Sequence, residues 1–169
     1  MSRFDAILWD VDGTLLDFVY AQRESLIKGF LAQGMQIDDA TVSLYSDIND
    51  RYWKRLELGE ITRDYLMHGR FEELISELGL KGQIDPYKLK DEYAKGLSEI
   101  FRYIENSKEI CEHLKRLGIA QYVVTNGTAF IQRNKLLISG FADILEDMFI
   151  SEEAGAEKPQ RAFFEYCFE

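Results

Sequence analysis

Apolar residues along the chain fall into two patterns, short continuous runs and longer stretches with helical spacing. The short runs lie within residues 4–9, 122–124 and 148–151. Continuous runs of that length are typical of strands that are buried on both faces in a parallel sheet. We therefore predict three strands, and we expect both faces of the first strand to be covered.

The stretch between the first two runs has helical spacing instead. One helix is predicted to end near Gly34, and three more are predicted within residues 38–59, 62–79 and 85–104. A single crossover between parallel strands needs only about one helix. The extra length predicts a helical domain that is inserted after the first strand.

Further helices are predicted at residues 107–117, at 128–140 and after Pro159. Strands that alternate with helices in this way are typical of a Rossmann-like α/β core with a parallel sheet. The predicted core comprises residues 1–16 and 98–169, and residues 17–97 form the inserted helical domain.

Two acidic residues, Asp10 and Asp12, follow the first predicted strand, and Gly13 permits a tight turn after them. Ligands of open α/β sheets bind beyond the carboxyl ends of the strands. Two carboxylates on one side of the chain repel each other unless a cation or a shared proton compensates. The sequence therefore predicts a carboxylate-lined pocket that can hold a metal ion.

Polar residues also follow the second predicted strand, where Thr125, Asn126 and Gly127 precede a helix. Backbone N–H groups at the start of a helix favour a phosphate group. A turn that merely caps the helix is the alternative interpretation of this segment.

The segment DVDGT at residues 10–14 resembles the first motif of the haloacid dehalogenase-like hydrolase superfamily, the aspartate-based phosphatases. The resemblance implies that Asp10 attacks phosphorus, and that Asp12 protonates the leaving oxygen and later deprotonates water. It also implies that Mg²⁺ is held by Asp10 and by the backbone carbonyl of Asp12. A strand followed by an Asp-Gly turn is the alternative, but that turn explains only Asp12.

Two later segments resemble the second and third motifs of the superfamily, in the same order. By this resemblance Thr125 binds phosphate through its hydroxyl, and the backbone at Asn126 assists. Lys158, just before Pro159, balances the charges of Asp10 and the phosphate. A lone lysine is otherwise read as a solvated surface residue. The inserted helices correspond to a type-one cap, which excludes water from the site and selects the leaving group.

Residues 59–75, together with 10–18, resemble a narrower group, the pyrimidine 5′-nucleotidases of the YjjG and YfnB type. The resemblance implies a nucleoside 5′-monophosphate substrate, with aromatic side chains stacking on the base. The candidates for stacking are Phe18 and Trp53, with Tyr45 and Tyr52 as further ones.

Three other functions are alternatives. A sugar-phosphate or phosphoglycolate phosphatase is the alternative within the enzyme class, because the core motifs do not contact the leaving group. A noncatalytic phosphate-binding or interaction protein is the alternative from another class. A halide-releasing enzyme is disfavoured by Asp12, because a halide needs no proton to leave.

The fourth superfamily motif, an acidic pair that completes Mg²⁺ coordination, is not found before Glu169. We therefore expect the sequence to be a fragment of a longer enzyme. We also expect the fragment to bind Mg²⁺ more weakly than the whole enzyme, because a carboxylate ligand is lost. We expect little catalysis by the fragment itself, and the predicted function is that of the whole enzyme.

The composition of the chain argues against some classes of binding partner. The net charge of −10 argues against nucleic-acid polymers and anionic membrane surfaces, which are polyanions. We find neither a signal-peptide pattern at the start nor an apolar run of membrane-spanning length. Cys111 and Cys167 show no C-x-x-C spacing, which fits a reducing compartment. We expect a cytoplasmic protein that acts on a small phosphate ester.

Overall fold

Three strands form one parallel sheet in the computed structural model, which describes residues 4–168. They are β1 (Ala6–Trp9), β2 (Ala120–Thr125) and β3 (Asp147–Ile150), in the spatial order β1-β2-β3. Trp9 pairs with Val123, and Thr125 pairs with Ile150. The predicted Rossmann-like parallel sheet is confirmed.

Helices fill most of the remaining described chain. They are α1 (Phe18–Leu31), α2 (Asp39–Glu57), α3 (Arg63–Glu77), α4 (Pro86–Glu99), α5 (Ser107–Arg116), α6 (Ala129–Ile138), α7 (Ser151–Ala154) and α8 (Arg161–Phe168). The fourth helix ends about one turn earlier than the sequence predicts, and the short α7 was not predicted. None of the helices in the described range has the length and apolar character needed to span a membrane.

The chain divides into two compact units. The first comprises Met1–Ala21 and Leu97–Glu169, and the second is Gln22–Gly96. The first unit holds the sheet and α5 to α8, and the second holds α2, α3 and most of α1 and α4.

The core of the first unit lies around β2. Val123 on this strand is fully buried, together with Leu136 of α6 and Phe141. β1 is different, because its residues alternate between exposed and half-buried, and Leu8 is 38% exposed. The prediction that both faces of the first strand are covered is wrong. The physical reason is that, among the described residues, β1 lies at an edge of the sheet and too few side chains pack over it to cover both of its faces.

The core of the second unit is an aromatic cluster. The ring centroids of Tyr45, Phe71 and Tyr93 lie 5.2–5.3 Å from one another. The buried guanidinium of Arg70 lies 5.0 Å from the Phe71 ring and donates a hydrogen bond of 2.6 Å to Asn49. Tyr45 is fully buried in this cluster, so its ring is not available to stack on a ligand.

Candidate active site

The turn after β1 presents both acidic residues at the carboxyl end of the sheet. The N–H groups of Leu15 and Leu16 each donate to the Val11 carbonyl at 2.9 Å. Gly13 adopts a φ of 83°, a left-handed conformation that favours glycine. The side chains of Asp10 and Asp12 are 42% and 23% exposed, so both carboxylates can be reached from solvent.

Lys158 links this turn to the end of the neighbouring strand. Its Nζ lies 2.8 Å from Asp10 Oδ1 and donates a second hydrogen bond of 2.7 Å to the Val124 carbonyl. The lysine side chain is 22% exposed. The structure thus brings together two residues that lie 148 positions apart in the sequence. An ammonium held by a carboxylate and a carbonyl has a fixed position beside the acid.

Asn126 fixes the backbone of Lys158. Its Oδ1 accepts from the Lys158 N–H at 2.7 Å, and its Nδ2 donates to the Lys158 carbonyl at 2.9 Å. The sequence assigned only the Asn126 backbone to phosphate binding and did not predict this side-chain role. A reciprocal pair of hydrogen bonds on one residue's backbone holds the Lys158 segment against the end of β2.

Thr125 is the last residue of β2 and is 1% exposed. Because Trp9 pairs with Val123, Asp10 lies one residue and Thr125 two residues beyond this pair, at the same end of the sheet. This position is consistent with the predicted phosphate-binding role of Thr125, which stays a prediction.

The first turn of α6 already has an anionic partner. The Ala129 N–H donates to Glu152 of α7 at 2.7 Å, and the adjacent Glu153 pairs with Arg133 at 2.8 Å. Both glutamates belong to the short helix α7. A carboxylate at a helix N-terminus is favourable for the same reason as a phosphate. One backbone N–H at the start of α6 is therefore already occupied by a carboxylate.

Two residues of α6 bind the carboxylate of Asp12. Gln132 Nε2 donates to Oδ2 at 2.7 Å, and Lys135 Nζ donates to Oδ1 at 2.6 Å. Sequence reasoning missed both residues. The available signal was a pair of polar residues three positions apart, on one side of the helix that follows the Thr-Asn-Gly turn.

The chain that leaves the turn is held by Asp17. Its Oδ1 accepts from the Tyr20 N–H at 3.0 Å, and its Oδ2 accepts from Arg102 Nε at 3.1 Å. The Tyr20 N–H and the Arg102 guanidinium hold the pKa of the Asp17 carboxyl below its ordinary value. Asp17 is therefore an N-terminal cap for α1 and an anchor for the segment around Arg102.

The two residues predicted to contact a base lie in different units. Phe18 begins α1 in the first unit and is half-buried. Trp53 lies on α2 in the second unit, is half-buried, and has the Arg63 guanidinium 5.7 Å from its ring. Their contact with a substrate stays a prediction.

The oxygen donors at the turn suit Mg²⁺. Within residues 4–168 no group of three or more His, Cys, Asp or Glu side chains is arranged to hold a metal ion. Magnesium is commonly bound through one or two carboxylates, with water and substrate phosphate oxygens completing the octahedron. The exposed carboxylate of Asp10 and the carbonyl of Asp12 are donors of this type.

Both cysteines are buried. Burial raises the pKa of the Cys111 thiol to about 11, and it also raises the pKa of Cys167. Both thiols therefore stay protonated at neutral pH, as expected for residues that pack rather than react.

Comparison with known proteins identifies the family. The model of the haloacid dehalogenase-like hydrolases matches residues 4–169. The HAD-hydrolase YfnB of Bacillus subtilis is 32% identical over 169 residues, which are 100% of this chain and 71% of that protein. The fold, the site and these matches show that the chain belongs to the haloacid dehalogenase-like hydrolases.

Two further relatives carry a named activity. Pyrimidine 5′-nucleotidase PynA of Streptococcus pneumoniae is 30% identical over 159 residues, covering 94% of this chain and 66% of that protein. Pyrimidine 5′-nucleotidase YjjG of Escherichia coli is 28% identical over 170 residues, covering 99% of this chain and 71% of that protein. The chain thus spans about two thirds to seven tenths of the length of these relatives.

A crystal structure of YfnB bound to magnesium superposes with a TM-score of 0.91 at 32% identity. The superposition covers 99% of this chain and 74% of that chain. The resemblance to the YjjG and YfnB group, inferred from the motifs, is confirmed.

Proposed function

We propose that this protein hydrolyses phosphate monoesters through an aspartyl-phosphate formed on Asp10. The contact between Lys158 and Asp10, 2.8 Å long and fixed from the end of β2, carries this proposal. A carboxylate becomes a usable nucleophile toward a phosphate dianion when a cation offsets the repulsion between the two anions.

Each step of the proposed reaction is carried out by a named residue. An oxygen of Asp10 attacks phosphorus, the ester P–O bond breaks, and Asp12 gives its proton to the leaving oxygen. A water molecule then attacks the phosphorus of the aspartyl-phosphate while Asp12 takes its proton, which releases phosphate and regenerates Asp10. The hydroxyl of Thr125 and the backbone at Asn126 bind the phosphoryl oxygens, because phosphoryl transfer depends mainly on positioning and charge stabilisation.

Mg²⁺ would be held by the carboxylate of Asp10 and the carbonyl of Asp12. When bound, it supplies positive charge to the phosphoryl oxygens. The crystal structure of YfnB, which contains bound magnesium, supports this assignment.

The proposed substrate is a nucleoside 5′-monophosphate with a pyrimidine base. The names of PynA and YjjG support the substrate class, and Phe18 and Trp53, each half-buried within its own unit, are the candidates for stacking on the base. We further propose that residues 17–97 act as the cap. The compact second unit, Gln22–Gly96, supports that assignment.

A substrate panel tests the proposal. The full chain is assayed with Mg²⁺ for phosphate release from pyrimidine and purine nucleoside 5′-monophosphates and from glycerol phosphate, with Asp10→Asn as control. We expect the highest kcat/KM for pyrimidine nucleotides and no turnover by the variant. Equal kcat/KM for glycerol phosphate would reject the nucleotidase assignment. Phosphate binding without release from any ester would indicate a noncatalytic phosphate-binding protein instead.

A further inference from the structure

The carboxylate of Asp12 is held by two donors from one helix, and no part of the proposed reaction yet uses them. We propose that Gln132 and Lys135 are positioning residues, which fix Asp12 in the orientation needed for proton transfer to the leaving oxygen. This inference rests on the proposed phosphatase function.

The two donors act on different oxygens of the same carboxylate. Gln132 Nε2 binds Oδ2 at 2.7 Å and Lys135 Nζ binds Oδ1 at 2.6 Å. A carboxylate has about four lone-pair directions on its two oxygens, so two donors leave room for a further contact on each oxygen. The pair therefore fixes the plane of the Asp12 carboxyl group without occupying it fully, and the proton that Asp12 gives to the leaving oxygen lies in one of the directions left open.

Burial makes this support rigid. The side chain of Lys135 is 2% exposed, and Gln132 is 3% exposed. The residue after Lys135, Leu136, is fully buried in the core of the first unit. A buried ammonium is costly unless it is paired, so Lys135 is held to Asp12 rather than exchanging between partners or with water.

Gly127 gives independent support, because its lack of a side chain makes room for Gln132. A Cβ at this position would lie 2.7 Å from both Cγ and Nε2 of Gln132. The φ of Gly127 is not in the left-handed region, so the backbone itself does not require glycine there. The close approach of the Gln132 side chain accounts for this glycine.

The leaving group provides the test. An alkyl ester such as a nucleoside 5′-monophosphate needs a proton from Asp12, whereas p-nitrophenyl phosphate releases a stable phenolate that does not. General acid catalysis contributes roughly 10²–10⁴-fold to rate. We therefore expect Lys135→Met and Gln132→Met to lower kcat/KM by about 10- to 100-fold on the alkyl ester, and by less than about 3-fold on the aryl ester.

The kinetics are measured in the full chain with Mg²⁺, and thermal unfolding confirms that each variant is folded. Gly127→Ala is a second route to the same result, since it displaces the Gln132 amide without removing it. If Lys135→Met fails to fold, Gln132→Met and Gly127→Ala decide the question.

A double-mutant cycle with Asp12→Asn separates positioning from general structure. If Lys135 acts through Asp12, Lys135→Met should cause no further loss on the alkyl ester in the Asp12→Asn background. Lys115→Met is the control at an exposed position, because Lys115 also donates from Nζ to an oxygen, in this case the carbonyl of Asp143. In the control variant, the ratio of kcat/KM for the alkyl ester to kcat/KM for the aryl ester should be unchanged.

Each outcome is decisive. A wild-type chain that releases phosphate from neither ester rejects the proposed function. If the wild-type chain is active and the variants lower kcat/KM equally for both esters, or raise it, the positioning role is rejected. The phosphatase function is then left intact. Additive losses in the cycle also reject the positioning role.

Discussion

Lys158 determines the geometry of the proposed nucleophile. Its ammonium is shared between Asp10 Oδ1 and the Val124 carbonyl, so one side chain connects the acidic turn to the next strand. The shared contact leaves the ammonium few other positions, which is the preorganisation that stabilises charge most effectively. Loss of this cation should therefore affect the rate of reaction more than the fold.

Replacement of Lys158 tests this argument. We expect Lys158→Met to lower kcat by about 10²–10³-fold, the usual effect of removing one preorganised donor from a charged transition state. Steady-state phosphate release measures the loss. The matched control is Lys108→Met, since Lys108 also donates from Nζ to a backbone carbonyl, that of Ser139. A wild-type kcat in the Lys158→Met variant would show that Lys158 takes no part in the reaction.

Asn126 should act through Lys158. Asn126→Ala removes both hydrogen bonds to the Lys158 backbone, so we expect a stability loss of about 1–3 kcal/mol and a fall in kcat that exceeds any rise in KM. Urea unfolding and steady-state kinetics measure the two effects. Asn134→Ala is the control, because Asn134 donates to the carbonyl of Ser98. An unchanged kcat at position 126 would limit this asparagine to a structural role.

At the residue scale the sequence predicts those site residues that follow strands. Asp10 and Asp12 come directly after an apolar run, and ends of parallel strands meet at one edge of the sheet. Gln132 and Lys135 were not predicted, because they lie inside a helix and not at the end of a strand. Their spacing marks one face of α6, but only the packing of the helix decides that this face turns toward Asp12.

At the scale of single elements, the start of α1 is controlled by the charge of Asp17. The Tyr20 N–H and Arg102 lower the pKa of this carboxyl from an ordinary value of 3.8. A carboxylate with a lowered folded-state pKa contributes stability above its unfolded pKa. That contribution is lost as the pH falls through the folded-state pKa.

Asp17→Asn isolates this charge, because asparagine still caps the helix through its side-chain oxygen. We expect the wild type to be more stable than the variant by up to about 1 kcal/mol near neutral pH, because Arg102 is largely exposed and screened. The difference should shrink as the pH drops below 3.8. Urea unfolding across this range measures it. A difference that stays constant into strong acid would contradict the assignment.

The strands show where pattern reasoning fails. The apolar run of β1 predicts a strand, and the strand is present, but its burial was overestimated. An apolar run does not indicate how many neighbouring strands flank the strand in the sheet. β2 has a neighbour on each side and buries Val123 fully, whereas β1 lies at an edge of the described sheet.

For the whole molecule, the negative net charge means that an anionic substrate needs local positive charge at its binding site. The chain carries a net charge of −10, and a phosphate monoester is itself an anion. Binding such a substrate needs local positive charge, which Lys158 supplies only in part. A divalent cation at the turn of Asp10 would supply the remainder.

Metal removal tests this requirement. We expect dialysis against a chelator to lower phosphate release by on the order of 10²-fold or more, because the metal contributes several kcal/mol of charge stabilisation. Added Mg²⁺ should restore the rate. Circular dichroism before and after dialysis serves as the control, since the fold should not change. Full activity in the metal-free protein would contradict the proposal.

The order of strands and helices was predictable from the sequence, because periodicity separates a buried run from an amphipathic helix. The boundaries of the inserted helical domain were predicted at residues 17 and 97. The structure divides the chain into compact units at residues 21/22 and 96/97. The action of the second unit as a cap stays a proposal, because periodicity describes an element and not its motion.

The proposed reaction passes through an aspartyl-phosphate on Asp10, which can be trapped during turnover. The full chain is mixed with Mg²⁺ and a pyrimidine nucleoside 5′-monophosphate, quenched in acid during turnover, and mapped by mass spectrometry. We expect a phosphoryl group on the peptide that contains Asp10, and none in the Asp10→Asn variant. Steady turnover with no phosphoryl group at Asp10, and undiminished phosphate release by Asp10→Asn, would contradict the proposed aspartyl-phosphate.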